Sequence, residues 1–461
     1  MITDNLRSEP IGKDRSWQIL KDRISHRSIE SLCKREKGLL VFPHSLCECK
    51  KEYREQYICE IIDDNISTGN IVGFIGVEEN DEYVELSIRS RFQKDCQEDY
   101  FLHYMLQRVF NVTILDLKHS TTTGEAFDFA LYLFPHYFKR AMKQGLFKQY
   151  CNREYNDANV RGAIDVSRHI RCNIPFNGRI AYRTREYQYD NPMMQLIRHT
   201  IEYIRTHKWA GNILKCDKDM CDYVRTIYDI TPSYKPNDRQ RVISQNTKPI
   251  THPFYTEYRT LQQLCLNILR HKGVKYGSSN EKIYGILFDC AWLWEEYLAT
   301  ILPRKFTHAV RGDGGKSGIK LFENGQVRYP DFYSTEEGIV LDAKYKRIDN
   351  GVQRNDLYQL ISYIHTLDRS NRPKSATDTY GAFIYPTVQR SQATWTNLKG
   401  YGGKLGKIPM NIASECQSFC EFRNSMLKAE SNLLDNINKI NSNGLCNKDI
   451  AKEDIFEDKD E

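Results

Sequence analysis

The chain has 461 residues, of which 40% are hydrophobic and 27% are charged, an ordinary mixture for a globular protein of two or three domains. No run of 18 or more apolar residues occurs, and the start of the chain lacks the apolar core of a signal peptide, so we expect neither a membrane span nor secretion. The net charge of +6, from 66 basic and 60 acidic residues, permits contact with nucleic acid without demonstrating it.

Fourteen cysteines raise the question of a zinc site or a disulfide framework. The close pairs are Cys47 with Cys49 and Cys416 with Cys420, which lie far apart and lack the Cys-x-x-Cys or histidine partners of a zinc module. Without a secretory signal, we expect most of these thiols to be reduced and partly buried.

The first 150 residues predict a mixed α/β region. Their first 60 residues are polar and give no clear pattern, whereas the following part alternates apolar and polar residues and then places apolar residues at helical spacing. The predicted elements are strands over Asn70–Val77 and Tyr83–Ser90 and helices over Phe101–Val109 and Glu125–Gln144.

Residues 151–275 predict a mostly helical middle segment that is rich in basic and aromatic side chains. One helix has a clear start, because Asn191 can cap it, Pro192 suits its first position, and apolar residues continue to Ile204. Two interpretations of the basic residues stay open: contact with phosphates and bases, or an ordinary solvated face with strand tyrosines. The residues concerned are Arg161, Arg168, Arg171, Arg179, Arg183, Arg185 and Arg198, with Tyr182, Tyr187 and Tyr189.

A predicted hairpin between Val327 and Arg347 carries the strongest chemical signal. Two β-prone runs flank a polar turn at Ser334–Gly338. Side chains alternate along a strand, so Asp342 and Lys344 share one face about 7 Å apart, and Asp331 adds a carboxylate from the neighbouring strand. Two carboxylates and a lysine at one hairpin end suit a hard divalent cation and phosphodiester hydrolysis.

The alternative interpretation of this hairpin is an exposed turn with a surface salt bridge. A lone Asp-x-Lys is uninformative, and Asp116-Leu117-Lys118 has the same spacing without a Pro-Asp strand before it. The elements predicted around the hairpin favour the metal site over the surface salt bridge.

Before the hairpin, the sequence predicts a helix over Ile283–Leu302, which carries Glu295 and Glu296, and a strand over Thr307–Arg311. After the hairpin, it predicts a helix over Asn355–Leu367 and a strand over Gly381–Tyr385. Gln359 and Tyr363 are four residues apart on the second helix and therefore share one of its faces.

This αβββαβ order resembles the PD-(D/E)XK nuclease superfamily. The expected fold class is therefore α+β or α/β and multidomain, with an N-terminal mixed α/β region and a C-terminal PD-(D/E)XK, restriction endonuclease-like core. We expect that endonuclease domain over residues 276–410 and a helix with an acidic tail over residues 411–461.

Several blocks in a fixed order also resemble the McrC family, over Asn70 to Val388. They read VGFIGV, RGAIDVSRHI, FDCAWLWEEYL, RYPDF, LDAKYK and DLYQLISYIHTL. The resemblance implies the nuclease subunit of a McrBC-type, 5-methylcytosine-specific restriction system in the prokaryotic cytoplasm. It also implies double-stranded DNA with modified cytosine as the substrate and a McrB-like AAA+ GTPase hexamer as the partner, docked on residues 1–150.

The resemblance also implies roles for individual residues. Asp331 and Asp342 match the family's metal-binding carboxylates, with the Ala343 carbonyl beside them, and Lys344 matches its catalytic lysine. The ion would be Mg²⁺, with Mn²⁺ as the alternative, and its charge would lower the pKa of Lys344. Glu295, in Leu293-Trp294-Glu295 where the family usually has Phe at the middle position, is the further metal ligand.

Four other residues are candidates for the predicted site, with their alternatives open. Glu296 is the alternative to Glu295, because the two point about 100° apart around a helix. Gln359 and Tyr363 would support the site or contact the DNA backbone, although Tyr363 could equally be core, and Asp356 is a weaker candidate.

The glycine-rich Gly312–Ser317 does not fit a nucleotide-binding loop, because Val310 stands where the pattern needs its first glycine. We therefore expect GTP to be bound by the partner and not by this chain. Two other functions stay open: a free-standing PD-(D/E)XK DNA repair nuclease, and a non-catalytic adaptor that activates the partner's GTPase.

Overall fold

A computed structural model describes the chain in ranges that leave several gaps. These ranges are 2–36, 38–43, 56–79, 82–92, 99–110, 125–206, 210–270, 283–309, 318–320, 325, 327–348, 351–367, 379–399, 403–413 and 415–441. The predicted features at Cys47–Cys49, Asp116–Lys118, Gly312–Ser317 and the acidic tail lie outside the described residues.

The N-terminal region is mixed α/β, and its four predicted elements are confirmed within one or two residues of their predicted ends. Its elements are β1 (Glu9–Pro10), α1 (Arg15–Arg23), α2 (Ile29–Arg35), β2 (Gly38–Phe42), β3 (Cys59–Ile62), β4 (Asn65–Thr68), β5 (Ile71–Glu79), β6 (Glu82–Ile88), α3 (Tyr100–Phe110) and α4 (Glu125–Lys143). Strands β5 and β6 pair antiparallel, and β1, β4 and β3 form a separate small sheet in that order.

The middle segment begins with a small sheet and continues as helices. Its elements are β7 (Gln149–Asp157), β8 (Ala163–Ile164), α5 (Val166–Asn173), β9 (Ile180–Gln188), α6 (Pro192–Thr206), α7 (Lys218–Ile230), α8 (Arg239–Gln245) and α9 (Glu257–Arg270). The predicted start of α6 is confirmed, since the side-chain oxygen of Asn191 accepts hydrogen bonds from the amides of Met193 and Met194, both at 3.1 Å.

The C-terminal part contains a six-stranded sheet in the order β11-β14-β15-β16-β18-β17. Its elements are β10 (Ile283–Asp289), α10 (Cys290–Ile301), β11 (Thr307–His308), β12 (Ile319–Lys320), β13 (Val327–Arg328), β14 (Phe332–Ser334), β15 (Ile339–Ala343), α11 (Arg354–Thr366), β16 (Tyr380–Thr387), β17 (Thr394–Asn397), β18 (Lys404–Asn411) and α12 (Phe419–Asn441). The predicted order of helix, three strands, helix and strand is present as α10, β11, β14, β15, α11 and β16, with the short ribbon β12-β13 inserted.

The prediction of one helix over Ile283–Leu302 is wrong for its first seven residues, which form β10. This strand pairs parallel with β2 and antiparallel with β5, inside the sheet β2-β10-β5-β6. Ile286 and Phe288 pack on one side of it, and Ile283 and Leu287 pack on the other. A strand buried on both faces is a continuous apolar run, which periodicity cannot distinguish from a buried helix. The predicted boundary at residue 276 therefore separates β10 from the sheet in which it is hydrogen-bonded.

Helix α12 ties the N-terminal region to the C-terminal part. The buried carboxylate of Glu430 accepts hydrogen bonds from the hydroxyls of Tyr104 and Tyr297 at 2.7 and 2.9 Å and an ion pair from Arg108 at 2.8 Å. Because these partners lie on α3 and α10, three helices meet at one satisfied carboxylate. No helix in the described part of the chain is long and apolar enough to cross a membrane.

The cysteines follow the expectation of mostly reduced thiols. Nine cysteines of the described residues are free, and Cys59, Cys265 and Cys290 among them are buried. Cys33 is disulfide-bonded.

Candidate active site

The predicted hairpin is present, and its open end brings Asp331 and Asp342 together. Strand β14 pairs antiparallel with β15 so that Phe332 faces Leu341 and Ser334 faces Ile339. Gly338, at a φ of 66°, closes the turn by donating its amide to the Ser334 carbonyl at 2.9 Å. Asp331 directly precedes Phe332, so the same register places it opposite Asp342.

The two carboxylates at this end have different partners. An oxygen of Asp331 accepts a hydrogen bond from the backbone amide of Ala343 at 2.6 Å, which ties the two strands together. Asp342 is 3% exposed and its Oδ2 atom lies 2.7 Å from the Nζ atom of Lys344. The predicted convergence of two carboxylates and one lysine is therefore present.

Lys344 lies between two carboxylates from different elements. Its Nζ atom is also 3.3 Å from Oδ1 of Asp356, in the first turn of α11. The other oxygen of Asp356 lies 3.1 Å from Nζ of Lys346. Asp356, which the sequence marks only weakly, thus holds both lysines that follow β15, and Lys346 is a member of the cluster that sequence reasoning missed.

Burial and mutual repulsion raise the pKa values of the acids in this cluster. Burial, and then the charge of Asp342, raise the pKa of Asp331 to about 7. Burial also raises the pKa of Asp342, although the Lys344 ammonium opposes it. Burial, and then the charge of Asp331, raise the pKa of Glu295 to about 9. The cluster thus disfavours its own full ionisation.

The pKa of Lys344 moves in the opposite direction from the sequence-based expectation. Burial lowers it, but the charges of Asp342, Asp356 and Asp331 together outweigh burial and raise it. The expected lowering assumed a divalent cation beside the ammonium, whereas the protein groups alone stabilise the charged form.

Helix α10 places Glu295 near the acids at the open end of the hairpin. The pKa of Glu295 responds to the charges of Asp331, Asp342 and Lys344, which places its carboxyl group near all three. Glu296 is 6% exposed and belongs to the buried face of the helix. Asp289, which sequence reasoning missed, caps α10 by accepting from the Trp292 amide at 2.8 Å. An aspartate between a strand and a helix is a signal that could have been found.

Gln359 and Tyr363 contact each other, as their spacing predicts. The amide nitrogen of Gln359 donates to the hydroxyl of Tyr363 at 3.1 Å. Tyr363 is 3% exposed and packs in a core cluster with Val340 and Phe383. Burial raises its pKa, and the charges of Asp342 and Asp331 add to the rise. Tyr363 is therefore a core residue whose hydroxyl also lies near the acids.

Comparison with known proteins identifies the family of the chain. A sequence model of the McrBC 5-methylcytosine restriction system component family matches residues 66–386. The chain belongs to this family. The predicted membership of the McrC family is thereby confirmed. No curated protein matches the sequence.

Two solved structures are similar to this McrBC component. One is the refined half-complex from a tetradecameric assembly of Thermococcus gammatolerans McrB AAA+ hexamers with bound McrC, at 15% identity and a TM-score of 0.44, covering 93% of this chain and 99% of that chain. The other is the cryo-EM structure of the Thermococcus gammatolerans McrBC complex, at 16% identity and a TM-score of 0.28, covering 66% of this chain and 87% of that chain.

The donor chemistry of the cluster in this McrBC component fits a hard divalent cation. Among the described residues, no group of three or more histidine, cysteine, aspartate or glutamate side chains is spaced to surround a metal ion. Mg²⁺ usually keeps several waters and takes only one or two protein carboxylates, so the paired Asp331 and Asp342 suffice. A cation there would also relieve the repulsion that raises the pKa values of the acids.

Three of the seven arginines singled out in the middle segment of this McrBC component are neutralised locally. Arg168 and Arg183 form ion pairs with Glu154 and Asp165 at 2.5 and 2.6 Å. Arg198 pairs with Glu202 at 3.0 Å. These ion pairs are consistent with an ordinary charged face for the three side chains, and the interpretation as phosphate contact stays a prediction.

Proposed function

We propose that this McrBC component is the endonuclease subunit of a modification-dependent restriction complex. It would cut double-stranded DNA containing methylcytosine by phosphodiester hydrolysis with Mg²⁺, and Mn²⁺ would substitute for it. The observation that carries the proposal is Lys344 held 2.7 Å from Asp342, at the hairpin end where Asp331 and Asp342 meet. Helix α10 brings Glu295 to the same end, which supports a PD-(D/E)XK core.

Different residues of the site would bind the cation and orient the attacking water. Asp331 and Asp342 would hold the cation, together with the backbone carbonyl of Ala343, and Glu295 would reach it through a bridging water. A cation in this position supplies charge stabilisation at the phosphate and makes a water more acidic. If Asp342 held the cation, the Lys344 ammonium, 2.7 Å from its carboxylate, would be placed to orient the attacking water.

Asp356 and the pair Gln359 and Tyr363 would support Lys344 from α11. Asp356 keeps a second carboxylate 3.3 Å from the ammonium, so Lys344 stays oriented when Asp342 is engaged elsewhere. The Gln359 amide, exposed on α11, would reach the DNA backbone, while the buried Tyr363 fixes the helix on the sheet.

The same proposal includes a McrB-like AAA+ GTPase hexamer as the partner and the site of GTP binding. The middle segment carries a surface suited to a protein partner, which we call the apolar patch. Its members are each more than half exposed, and they are Ile164, Val166, Ile170, Ile174 and Phe176. Clustered exposed apolar side chains mark interaction sites in soluble proteins.

We propose the apolar patch as the docking surface, in place of the predicted docking on residues 1–150. Among the described residues before β7, Ile62 is the one large apolar side chain that is more than a third exposed. Val166, Ile170 and Ile174 follow one another at four-residue spacing, so they form one stripe along α5 and its end.

The test is cleavage of a methylcytosine-containing plasmid and of an unmodified plasmid, with and without the AAA+ GTPase, in Mg²⁺ and GTP. We expect cleavage by the wild type only with the partner and only of modified DNA, and none by Asp342→Ala. Cleavage by the chain alone would indicate a free-standing repair nuclease. Stimulated GTP hydrolysis without any cleavage would indicate an adaptor.

A further inference from the structure

The residue after Lys344 attaches the candidate active site to the N-terminal region. Tyr345 is 3% exposed, and its ring packs edge-on against Phe92 with the centroids 5.0 Å apart. Its hydroxyl lies 2.7 Å from the Oγ atom of Ser90. Because Ser90 follows the end of β6, the peptide that carries Lys344 is hydrogen-bonded to the end of the N-terminal sheet.

Arg91 stiffens this contact. Its backbone amide and its Nε atom donate to the two carboxylate oxygens of Asp4, both at 2.7 Å, and its Nη2 atom donates to the side-chain oxygen of Asn70 at 2.5 Å. The guanidinium carbon lies 5.2 Å from the centre of the Tyr345 ring. Arg347 closes the contact from the other side by donating to the Arg91 carbonyl at 3.2 Å.

The same contact also reaches the helix that carries Glu295. The backbone carbonyl of Asn70 accepts a hydrogen bond at 3.0 Å from the amide of Cys290, the first residue of α10. One partly buried polar cluster therefore touches both the strand end next to Lys344 and the start of the helix that presents Glu295. The Lys344 amide has its other anchor on β16, where it donates to the Ile384 carbonyl at 2.9 Å.

We propose that Ser90 and Arg91 are positioning residues that align Lys344 through Tyr345, so that the N-terminal region controls the geometry of the cleavage site. This inference rests on the proposed nuclease function. A shift of β6 relative to the six-stranded sheet would pull on Tyr345 and displace the Lys344 ammonium from Asp342. Small displacements of a catalytic group have large effects on rate, because the reacting atoms must meet in one geometry.

The test uses substitutions that remove single polar atoms and keep the packing. Tyr345→Phe and Ser90→Ala each delete one side of the 2.7 Å contact. Tyr104→Phe is the matched control, because it deletes a 2.7 Å hydrogen bond to Glu430 at another junction of the same two regions. In the full chain, hydrogen exchange by mass spectrometry follows the peptide over residues 339–347. In the complex with the GTPase, single-turnover cleavage gives the rate.

We expect faster exchange over residues 339–347 and a roughly 10- to 100-fold slower cleavage step in Tyr345→Phe and in Ser90→Ala. The double variant should be no slower than the slower single variant, because both changes break one contact. The thermal unfolding temperature and the stimulation of GTP hydrolysis should stay at wild-type values. Tyr104→Phe should leave both exchange over 339–347 and cleavage unchanged.

The positioning role would be overturned by unchanged exchange over residues 339–347, or by faster exchange with wild-type cleavage. A loss of cleavage that follows a fall in the unfolding temperature, and that Tyr104→Phe reproduces, would also overturn it in favour of a general structural contact. If the wild-type complex itself does not cleave, the nuclease proposal fails and the positioning role falls with it, while the exchange data still report the contact between Ser90 and Tyr345.

Discussion

The Nζ atom of Lys344 lies 2.7 Å from the Oδ2 atom of Asp342, two residues earlier in the chain. Asp342 lies on β15 and Lys344 directly follows the end of that strand, so the alternation of side chains places the two on one face, and burial removes the water that would otherwise screen them. The pair is therefore an electrostatic unit: whatever binds the Asp342 carboxylate also changes the state of the Lys344 ammonium.

Replacement of Lys344 tests its proposed catalytic role. Lys344→Met keeps the approximate length of the side chain and removes the amino group, which would orient the attacking water as an ammonium or deprotonate it as a free amine. We expect cleavage by the complex to fall roughly 100- to 10,000-fold, the usual contribution of a positioned acid or base. Binding to the GTPase, measured by size-exclusion chromatography, should remain. A variant that no longer binds its partner would count against the assignment of Lys344 to catalysis.

The raised pKa values of the acids predict that Mg²⁺ stabilises the chain more at high pH. Asp331 has its pKa raised from 3.8 to about 7 on folding, and Glu295 from 4.5 to about 9. An acid with a raised pKa contributes its stability below the unfolded value and loses it as the pH rises through the folded value. Between about pH 4 and pH 9, ionisation of these acids therefore destabilises the fold, and a bound cation offsets that loss.

The corresponding measurement is the thermal unfolding temperature at pH 6 and at pH 8, with and without Mg²⁺. We expect the increase on adding Mg²⁺ to be larger at pH 8, and Asp331→Asn to reduce that difference. An equal increase at both pH values, or an undiminished effect in Asp331→Asn, would argue against a cation at the hairpin end.

The neighbouring acids Glu295 and Glu296 provide a matched pair of substitutions. Glu295→Gln should raise the Mg²⁺ concentration needed for half-maximal cleavage, because the pKa of Glu295 responds to the same acids that would hold the cation. Glu296 lies on the buried face of α10, so Glu296→Gln should leave that concentration unchanged. The reverse result, measured as cleavage rate against Mg²⁺ concentration, would assign the metal role to Glu296.

The apolar patch predicts where partner binding can be disrupted. Ile170→Asp places a charge in the middle of the exposed stripe on α5 and should weaken binding to the GTPase at least about tenfold, as expected for a desolvated interface position. Ile62→Asp is the matched control on the N-terminal region. Binding to the GTPase, measured by biolayer interferometry, distinguishes the two possible docking surfaces. A loss of binding caused by Ile62→Asp and not by Ile170→Asp would place the docking surface within residues 1–150.

Local patterns in the sequence predict much of the candidate site. Asp331, Asp342 and Lys344 come together because a hairpin follows from two alternating runs and one polar turn, and the contact of Gln359 with Tyr363 follows from helical spacing. The partnership of Lys344 with Asp356 depends on how α11 packs on the sheet, which no local pattern encodes. Glu295 and Glu296 are both candidates from the helical pattern, and only the family resemblance favours Glu295 over Glu296.

The position of β10 limits how this protein can be divided. This strand lies between β2 and β5, and its last residue leads directly into the helix that presents Glu295. Truncation at the predicted boundary near residue 276 would leave two unpaired strand edges on one fragment and a bare apolar strand on the other. Neither fragment would fold as a separate domain. A chimaera that combines parts of two related proteins would therefore fold only if β10 and the strands on both sides of it came from the same protein.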